Sequence, residues 1–175
     1  VFTGNQTYTI DNDVRFDMYN STITLEQGSS LSLGNNVIIR GKRGNNKFVI
    51  KVNILPMGAN VNFEVEPGAP LEVIYENPTV AGLLDKCVFN NANLTAQGGT
   101  LTVRNSTFTL LPSNKVIVKP NAKLILDASL LTKSGPSQWQ GIEVWGNSNQ
   151  HQQSVSGQCA QGTIELTNNT IIENA

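Results

Sequence analysis

The chain has 175 residues, of which 39% are hydrophobic and only 14% are charged, and its formal net charge at pH 7 is -1. This length and composition suit one domain with a continuous apolar core. The low charge offers no basic stripe to replace the counterions on phosphates, which argues against a nucleic-acid partner. No apolar run reaches the roughly 18 residues of a membrane-spanning helix, so we expect no membrane insertion.

The N-terminal segment, residues 1–30, contains two apparent strands near residues 8–10 and 22–25. We interpret this segment as irregular first coils of the domain. The acidic stretch between the strands carries Asp11, Asp13 and Asp17. Their spacing resembles the start of a calcium loop, but the Gly and the distal Glu of an EF-hand are absent. A solvated turn is therefore the preferred interpretation, with a metal site as the alternative.

A short phrase recurs from residue 28 onward: a turn of Gly, Pro or Asn, followed by two apolar residues that are two positions apart. This alternation is the period of a strand with one buried face. The first apolar residues of the copies are Leu31, Leu71, Leu101, Leu124 and Ile164, which are 40, 30, 23 and 40 positions apart in succession. Such steps suit stacked coils of roughly 20 residues, some with insertions.

The segments between these copies are rich in β-branched residues and are separated by turn signals. No stretch has a helical apolar period, apart from an ambiguous turn at residues 81–85. We therefore predict an all-β solenoid of roughly seven or eight coils. A sandwich or barrel is the alternative, but its strands would not repeat one another's turn chemistry.

One long polar insertion, residues 147–161, is expected to project from the stack as a loop. It contains His151, the only histidine, so zinc binding and Cys-His catalysis both lack partner residues. A disulfide between Cys87 and Cys159 would tie this loop to the stack in an oxidising compartment. The alternative is one buried thiol in the strand at Cys87 and one thiol in the loop.

The phrase SQWQGIEVWGN at residues 137–147 resembles the right-handed parallel β-helix regions of secreted or surface proteins of Bacteroidota bacteria, a pectate-lyase-like superfamily often exported by type IX secretion. The resemblance implies a right-handed parallel β-helix, an extracellular or cell-surface location, and an adhesive or architectural role.

Strand alternation within this phrase points Ile142 and Val144 inward, and Glu143 and Trp145 outward. The two glycines that flank this strand, Gly141 and Gly146, are expected at corners, and Trp139 is expected to cover one side of the coil. An exposed aromatic here could stack on a sugar, and packing against the long loop is the more ordinary explanation.

Enzymes on such scaffolds need carboxylates that converge in a groove. The glutamates Glu64, Glu66, Glu72 and Glu76 instead alternate with apolar residues, which places most of them on the outer face.

We therefore expect residues 1–175 to form a single non-enzymatic β-helix domain, a fragment of a longer chain, that needs no cofactor and acts as an extracellular structural or adhesive segment. If the chain is complete as given, open strand edges at both ends predict head-to-tail association into filaments. A surface glycan is the other partner considered, and the alternative function is a carbohydrate-binding or polysaccharide-degrading module.

Overall fold

The computed structural model describes residues 1, 7–52, 57–77, 79, 81–150 and 160–175. Within these ranges the chain forms strands and turns, with no helix. Accordingly, the described part of the chain holds no helix that is long and apolar enough to cross a membrane. His151, Cys159 and most of the predicted loop lie outside the described residues.

The described ranges contain eighteen strands. They are β1 (Thr7–Ile10), β2 (Arg15–Tyr19), β3 (Thr22–Leu25), β4 (Ser30–Leu33), β5 (Ile38–Arg43), β6 (Asn46–Ile50), β7 (Val61–Val65), β8 (Leu71–Glu76), β9 (Gly82–Asp85), β10 (Cys87–Asn90), β11 (Asn93–Arg104), β12 (Thr107–Leu110), β13 (Val116–Val118), β14 (Ala122–Asp127), β15 (Leu130–Lys133), β16 (Ile142–Val144), β17 (Thr163–Thr167) and β18 (Ile171–Ile172).

The strands stack into a three-sided solenoid in which every strand pair is parallel. The first side has the order β2-β5-β7-β10-β12-β15-β18, and the second has β3-β6-β8-β11-β13-β16. The third side contains β1-β4 and, further along, β9-β11-β14-β17. The long strand β11 serves two sides, since its register shifts between Ala96 and Gly98.

This architecture confirms the predicted all-β solenoid. The seven strands of the first side mark about six turns, slightly fewer than the seven or eight expected. The reason is coil length: Arg15 pairs with Ile38, 23 residues on, and Leu130 pairs with Ile171, 41 residues on. The last coil is long because it contains the polar insertion.

The recurring phrase marks the start of a strand but does not always mark the same side. Leu31, Leu101, Leu124 and Ile164 all lie on the third side, whereas Leu71 begins β8 on the second side. The interval from Leu31 to Leu71 is therefore not a whole number of coils. The ambiguous turn at residues 81–85 is also resolved, because it forms strand β9.

Inward-facing residues of successive coils stack into columns that fill the core. On the first side, Phe63, Phe89 and Phe108 are in direct register and fully buried. Their ring centroids are 5.1 Å and 4.2 Å apart, and the rings of Phe89 and Phe108 are parallel within 1°. Ile39 in the coil before and Leu131 in the coil after are also buried and in register, so the column continues beyond the three rings.

The corner between the third and first sides uses the left-handed backbone region in coil after coil. Its positive-φ residues are Asp13, Asn36, Asn60, Lys86, Asn105, Ala128 and Asn169. Asn and Asp tolerate this conformation better than other residues with a Cβ. Side chains also bond between coils here, since Asn36 Nδ2 donates to Asp13 Oδ1 at 2.8 Å and Asn60 Nδ2 donates to Asn36 Oδ1 at 3.2 Å.

A second ladder is built from hydroxyl groups just after this corner. The N–H of Cys87 donates to Ser106 Oγ, the N–H of Ser106 donates to Ser129 Oγ, and the N–H of Ser129 donates to Thr170 Oγ1. Each hydroxyl thus satisfies a backbone donor of the preceding coil, which fixes the stacking of the coils around Ser129.

Candidate functional site

Strand β16 lies at the last coil of the second side and carries most of the residues that the sequence singled out. Ile142 pairs with the buried Val116, and Val144 pairs with the buried Val118, so both occupy inward positions. No described strand of the second side lies beyond β16, and Val144 is consequently 44% exposed although it points toward the core axis.

Trp139 and Trp145 have opposite environments. Trp139 is only 3% exposed, packs with the core residues, and donates from Nε1 to the Glu173 carbonyl at 3.0 Å. Trp145 is 43% exposed. Trp139 is therefore part of the core, whereas Trp145 is the aromatic of this phrase that solvent can reach.

The backbone of Trp145 is held on both sides. Its N–H donates to the Val118 carbonyl at 2.8 Å, and its carbonyl accepts from the Gly162 N–H at 2.9 Å. A Cβ added at Gly162 would stand 2.7 Å from the Val118 carbonyl oxygen and 3.0 Å from that of Trp145. Only glycine fits where the chain returns from the insertion, because three backbone segments meet there.

The base of the insertion is closed by one side chain. Gln161 accepts from the Asn147 N–H through Oε1 and donates from Nε2 to the Asn147 carbonyl at 3.1 Å. Gly141, on the other side of β16, has a φ of 82°, a left-handed conformation that glycine adopts without strain. Gly146 is exposed next to the start of the insertion.

Glu143 and Lys119 lie next to Trp145, and each is bonded to one further side chain. We call the five residues the Trp145 cluster: Gln97, Lys115, Lys119, Glu143 and Trp145. Trp145 Nε1 donates to Glu143 Oε2 at 3.0 Å, and Lys115 Nζ donates to Glu143 Oε1 at 3.0 Å. These two hydrogen bonds, first that of Trp145 and then that of Lys115, lower the pKa of Glu143 below its usual value. Lys119 Nζ lies 5.8 Å from the Trp145 ring centroid and donates to Gln97 Oε1 at 2.8 Å.

Sequence reasoning found Glu143 and Trp145 but missed the rest of the cluster. Lys115, Lys119 and Gln97 precede Trp145 by one or two coils, and only the strand register brings them together: Ile117 pairs with Glu143, and Val118 pairs with Val144. The signal in the sequence is the coil spacing, but coils of unequal length do not let the sequence alone align these positions.

The three aspartates of the first coil do not share a partner. Asp13 accepts from Asn36, whereas Asp17 lies 3.3 Å from Arg15 Nε and 3.5 Å from Lys42 Nζ. Asp11 is exposed. Among the described residues, no group of three or more His, Cys, Asp or Glu side chains is arranged to hold a metal ion.

Ionisable groups elsewhere on the outer faces also bond to neighbouring coils. Arg40 Nε donates to Glu64, and Thr95 Oγ1 donates to Glu72 Oε1 at 2.9 Å. On the third side, Arg104 donates to both carboxylate oxygens of Asp85 at 3.2 Å. These contacts join adjacent strands and do not converge on one point.

Cys87 carries a free, buried thiol at an inward position. Its Sγ lies 3.8 Å from Met57 Sδ, and burial raises the pKa of the thiol to about 12. A thiol in this state is a core side chain and not a nucleophile. Cys159, the other half of the predicted disulfide, lies outside the described residues.

No family model, curated protein or solved structure matches the chain. The parallel β-solenoid agrees with the fold implied by the Bacteroidota β-helix resemblance. No match supports the source, the secretion route or the pectate-lyase-like superfamily.

Proposed function

We propose that the chain is a non-enzymatic structural or adhesive β-helix segment of an extracellular or cell-surface bacterial protein. One observation carries this proposal: the outer polar side chains bond to the coils above and below them. Arg40 with Glu64, Arg104 with Asp85, and Lys123 with Glu165 at 2.6 Å all link adjacent strands. Such bonds stabilise the stack, and among the residues that the structure describes these carboxylates do not converge as an acid-base pair for glycoside cleavage would.

A depolymerisation assay separates this proposal from the polysaccharide-degrading alternative. The chain is incubated with a panel of neutral and acidic polysaccharides, with and without calcium. Reducing ends and the ultraviolet absorbance of unsaturated products are then measured. We expect no release above a heat-unfolded sample. Release that depends on the folded chain would overturn the non-enzymatic proposal.

The exposed apolar side chains support a further part of the proposal, namely association through the ends of the solenoid. With the exceptions of Val1 and Leu111, the large apolar residues exposed in the described ranges lie in the first or last coil. They are Val14, Phe16 and Tyr19 in the first coil, and Val144, Trp145, Leu166 and Ile171 in the last. Exposed apolar side chains next to open strand edges favour strand addition.

In the last coil, Leu166 pairs with the buried Leu126 and so occupies an inward position, yet it is 50% exposed. Sedimentation velocity over a range of concentrations tests this association. We expect growing oligomers from the parent chain and a monomer from Leu166→Lys, with Leu111→Lys as the matched exposed control. A monodisperse monomer at every concentration would refute end association and leave the non-enzymatic role standing.

A further inference from the structure

We propose that the last coil of one copy of the chain binds the first coil of a second copy in register, so that all three sides continue from one solenoid into the next. This inference rests on the end association proposed above and gives it a partner surface and a geometry. Three properties of the two ends carry it: inward apolar side chains, complementary backbone groups, and complementary side chains at one corner.

Both ends of the solenoid carry inward apolar side chains on all three sides. The register identifies these positions, because each residue pairs with a buried residue of the adjacent coil. They are Tyr8, Ile10, Phe16, Ile23 and Leu25 in the first coil, and Ile142, Val144, Ile164, Leu166 and Ile172 in the last. In the described part of the chain, no further strand stacks on either coil. A solenoid that ends in solvent has a polar terminal repeat, so two apolar ends favour a further coil on each.

The contact between successive coils of the chain shows how a second copy fits. The inward column of the first side consists of Phe16, Ile39, Phe63, Phe89, Phe108, Leu131 and Ile172. Stacking Phe16 of a second copy on Ile172 continues this column by one more step. Because the strand pairs are parallel, the same step is possible on all three sides only head to tail. Two last coils that face each other would bring antiparallel strands together.

The backbone groups at the two ends of the first side complement each other. The Ile171 N–H donates to the Ser129 carbonyl at 2.9 Å, and this bond recurs in other coils. The earlier members are Leu130 to Ser106 at 2.9 Å, Asn62 to Val37 at 2.8 Å and Ile38 to Val14 at 3.0 Å. The next donor and acceptor of the series are the Arg15 N–H of a second copy and the Thr170 carbonyl. A junction in register therefore repeats a bond that already joins the coils.

The second side shows the same relationship at the end of its strands. The Trp145 N–H donates to the Val118 carbonyl at 2.8 Å. The equivalent bonds of earlier coils are Lys119 to Ala96 at 2.9 Å and Lys51 to Leu25 at 3.0 Å. The next pair of this series is the Glu26 N–H of a second copy and the Val144 carbonyl. In both series the first coil supplies the donor and the last coil supplies the acceptor, which favours a first coil as the partner of a last coil.

The corner between the third and first sides adds complementary side chains. Asp13 lies at this corner in the first coil, and its carboxylate only accepts hydrogen bonds, as it does from Asn36 Nδ2. Asn169 lies at the same corner in the last coil, and its side-chain amide can donate. A junction in register places Asn169 beside Asp13 of the second copy, so a donor meets an acceptor.

Engineered disulfides test the register. Arg15 and Ile171 lie in the same outward row of the first side, one at each end of the solenoid. Within one copy, about six turns of about 4.8 Å hold them about 29 Å apart, so a disulfide in Arg15→Cys/Ile171→Cys has to join two copies. All variants carry Cys159→Ser, and Cys87 is buried, so only the introduced thiols react.

The matched control is Asp17→Cys/Ile171→Cys. In a junction in register, the Cα atoms of the first pair are about 5 Å apart, and those of the control pair are about 8 Å apart, beyond the span of a disulfide. Under mild oxidation of the folded chain, we expect the first pair to form covalent multimers at least about tenfold faster than the control pair. Adding Leu166→Lys to the first pair should slow the reaction to the control rate, and a melting transition checks that this variant folds.

Two results would overturn the inference alone. Dimers from Ile171→Cys by itself would show that two last coils face each other, and equal rates for the two pairs would show contact without register. Oligomers in sedimentation that form no disulfide through the first pair would also overturn it and leave end association standing. A monodisperse monomer would refute both. None of these results bears on the non-enzymatic role, which the depolymerisation assay tests separately.

Discussion

The aromatic ring of Tyr75 fills the space where Gly82 lacks a side chain. Tyr75 is an inward residue of the second side, and Gly82 takes the inward position of the third side that Leu101 takes one coil later. A Cβ at Gly82 would overlap Cε2 and Cζ of the Tyr75 ring. The large and the small residue thus share one core space, which explains a glycine inside strand β9.

Replacing this glycine should destabilise the chain. We expect Gly82→Ala to lower the free energy of unfolding by about 1–3 kcal/mol, because the buried ring has to move. Gly98→Ala is the matched control, since a Cβ there meets nothing within 4 Å. Chemical denaturation of both variants measures the difference. Equal stabilities of the two variants would contradict the packing described for Tyr75.

The hydroxyl ladder predicts that removing one of its hydroxyl groups lowers the stability of the chain. Ser129 is buried, and its Oγ accepts from the Ser106 N–H at 3.1 Å. Ser129→Ala leaves that buried donor unsatisfied, so the free energy of unfolding should fall by about 1–3 kcal/mol. Ser129→Thr keeps a hydroxyl and should lose less, and the exposed Ser137→Ala should change stability by no more than about 0.5 kcal/mol. A Ser129→Ala variant as stable as Ser137→Ala would show that the ladder contributes nothing.

The corner ladder predicts a stabilising substitution. Ala128 has a φ of 47° at a corner where Asn36, Asn60 and Asn105 occupy the equivalent position in other coils. Ala128→Asn should raise the free energy of unfolding by about 0.5–1 kcal/mol, because Asn tolerates this conformation better. Ala128→Val should lower it. Thermal melts of both variants check the sign, and a stabilised valine variant would be inconsistent with the left-handed corner.

The hydrogen bonds of Asp85 predict that the free energy of unfolding depends on pH. Its pKa is lowered mainly by the hydrogen bonds from Arg104, and further by that from Asn105. A carboxylate with a lowered folded-state pKa stabilises the fold above its unfolded pKa of about 3.9, and this contribution is lost as the pH falls through the folded value. Asp85→Asn should therefore reduce stability at pH 7, by no more than about 1 kcal/mol for a partly exposed pair, and should flatten the decline below about pH 4.

The exposed Asp11→Asn is the control for this titration, and it should keep the parent pH profile. The free energy of unfolding is measured between pH 2 and pH 7 for the parent chain and for both variants. The same slope in Asp85→Asn and in the parent chain would rule out the Arg104 pair as its source.

Cys87 should be unreactive in the folded chain. Its thiol is buried and its pKa is raised to about 12, so almost no accessible thiolate exists at pH 8. In a Cys159→Ser variant, a thiol reagent should detect no thiol before unfolding and one after it. The parent chain is then unfolded without a reductant and treated with the same reagent. Detection of two thiols would refute the predicted disulfide between Cys87 and Cys159, and detection of none would support it.

The sequence predicted the class of fold because its signal repeats in every coil. Strand alternation and turn residues recur wherever a coil passes a corner, so the solenoid could be recognised before any single strand was placed. The position of Leu71 could not be predicted in the same way. The same turn chemistry occurs at corners between different sides, and only strand pairing tells the sides apart.

The corner residues carry a second signal, in the positions of Asn and Ser. Asn105 takes a positive φ and Ser106, which follows it, joins the hydroxyl ladder. The abundance of Asn next to Ser or Thr thus has a physical cause in the corners. The Trp145 cluster was less predictable, because Lys115 and Lys119 meet Trp145 only through a register that depends on the length of each coil.

The most direct test of this account is hydrogen exchange, measured by mass spectrometry on the intact chain at a dilution that leaves it monomeric. Strands β10, β11 and β12 have a parallel partner strand on both sides, so the account predicts slow exchange of their amides and faster exchange at β16 and β18, which pair on one side only among the described strands. Exchange that is equally fast in the inner and the terminal coils would contradict the account of a continuous hydrogen-bonded stack.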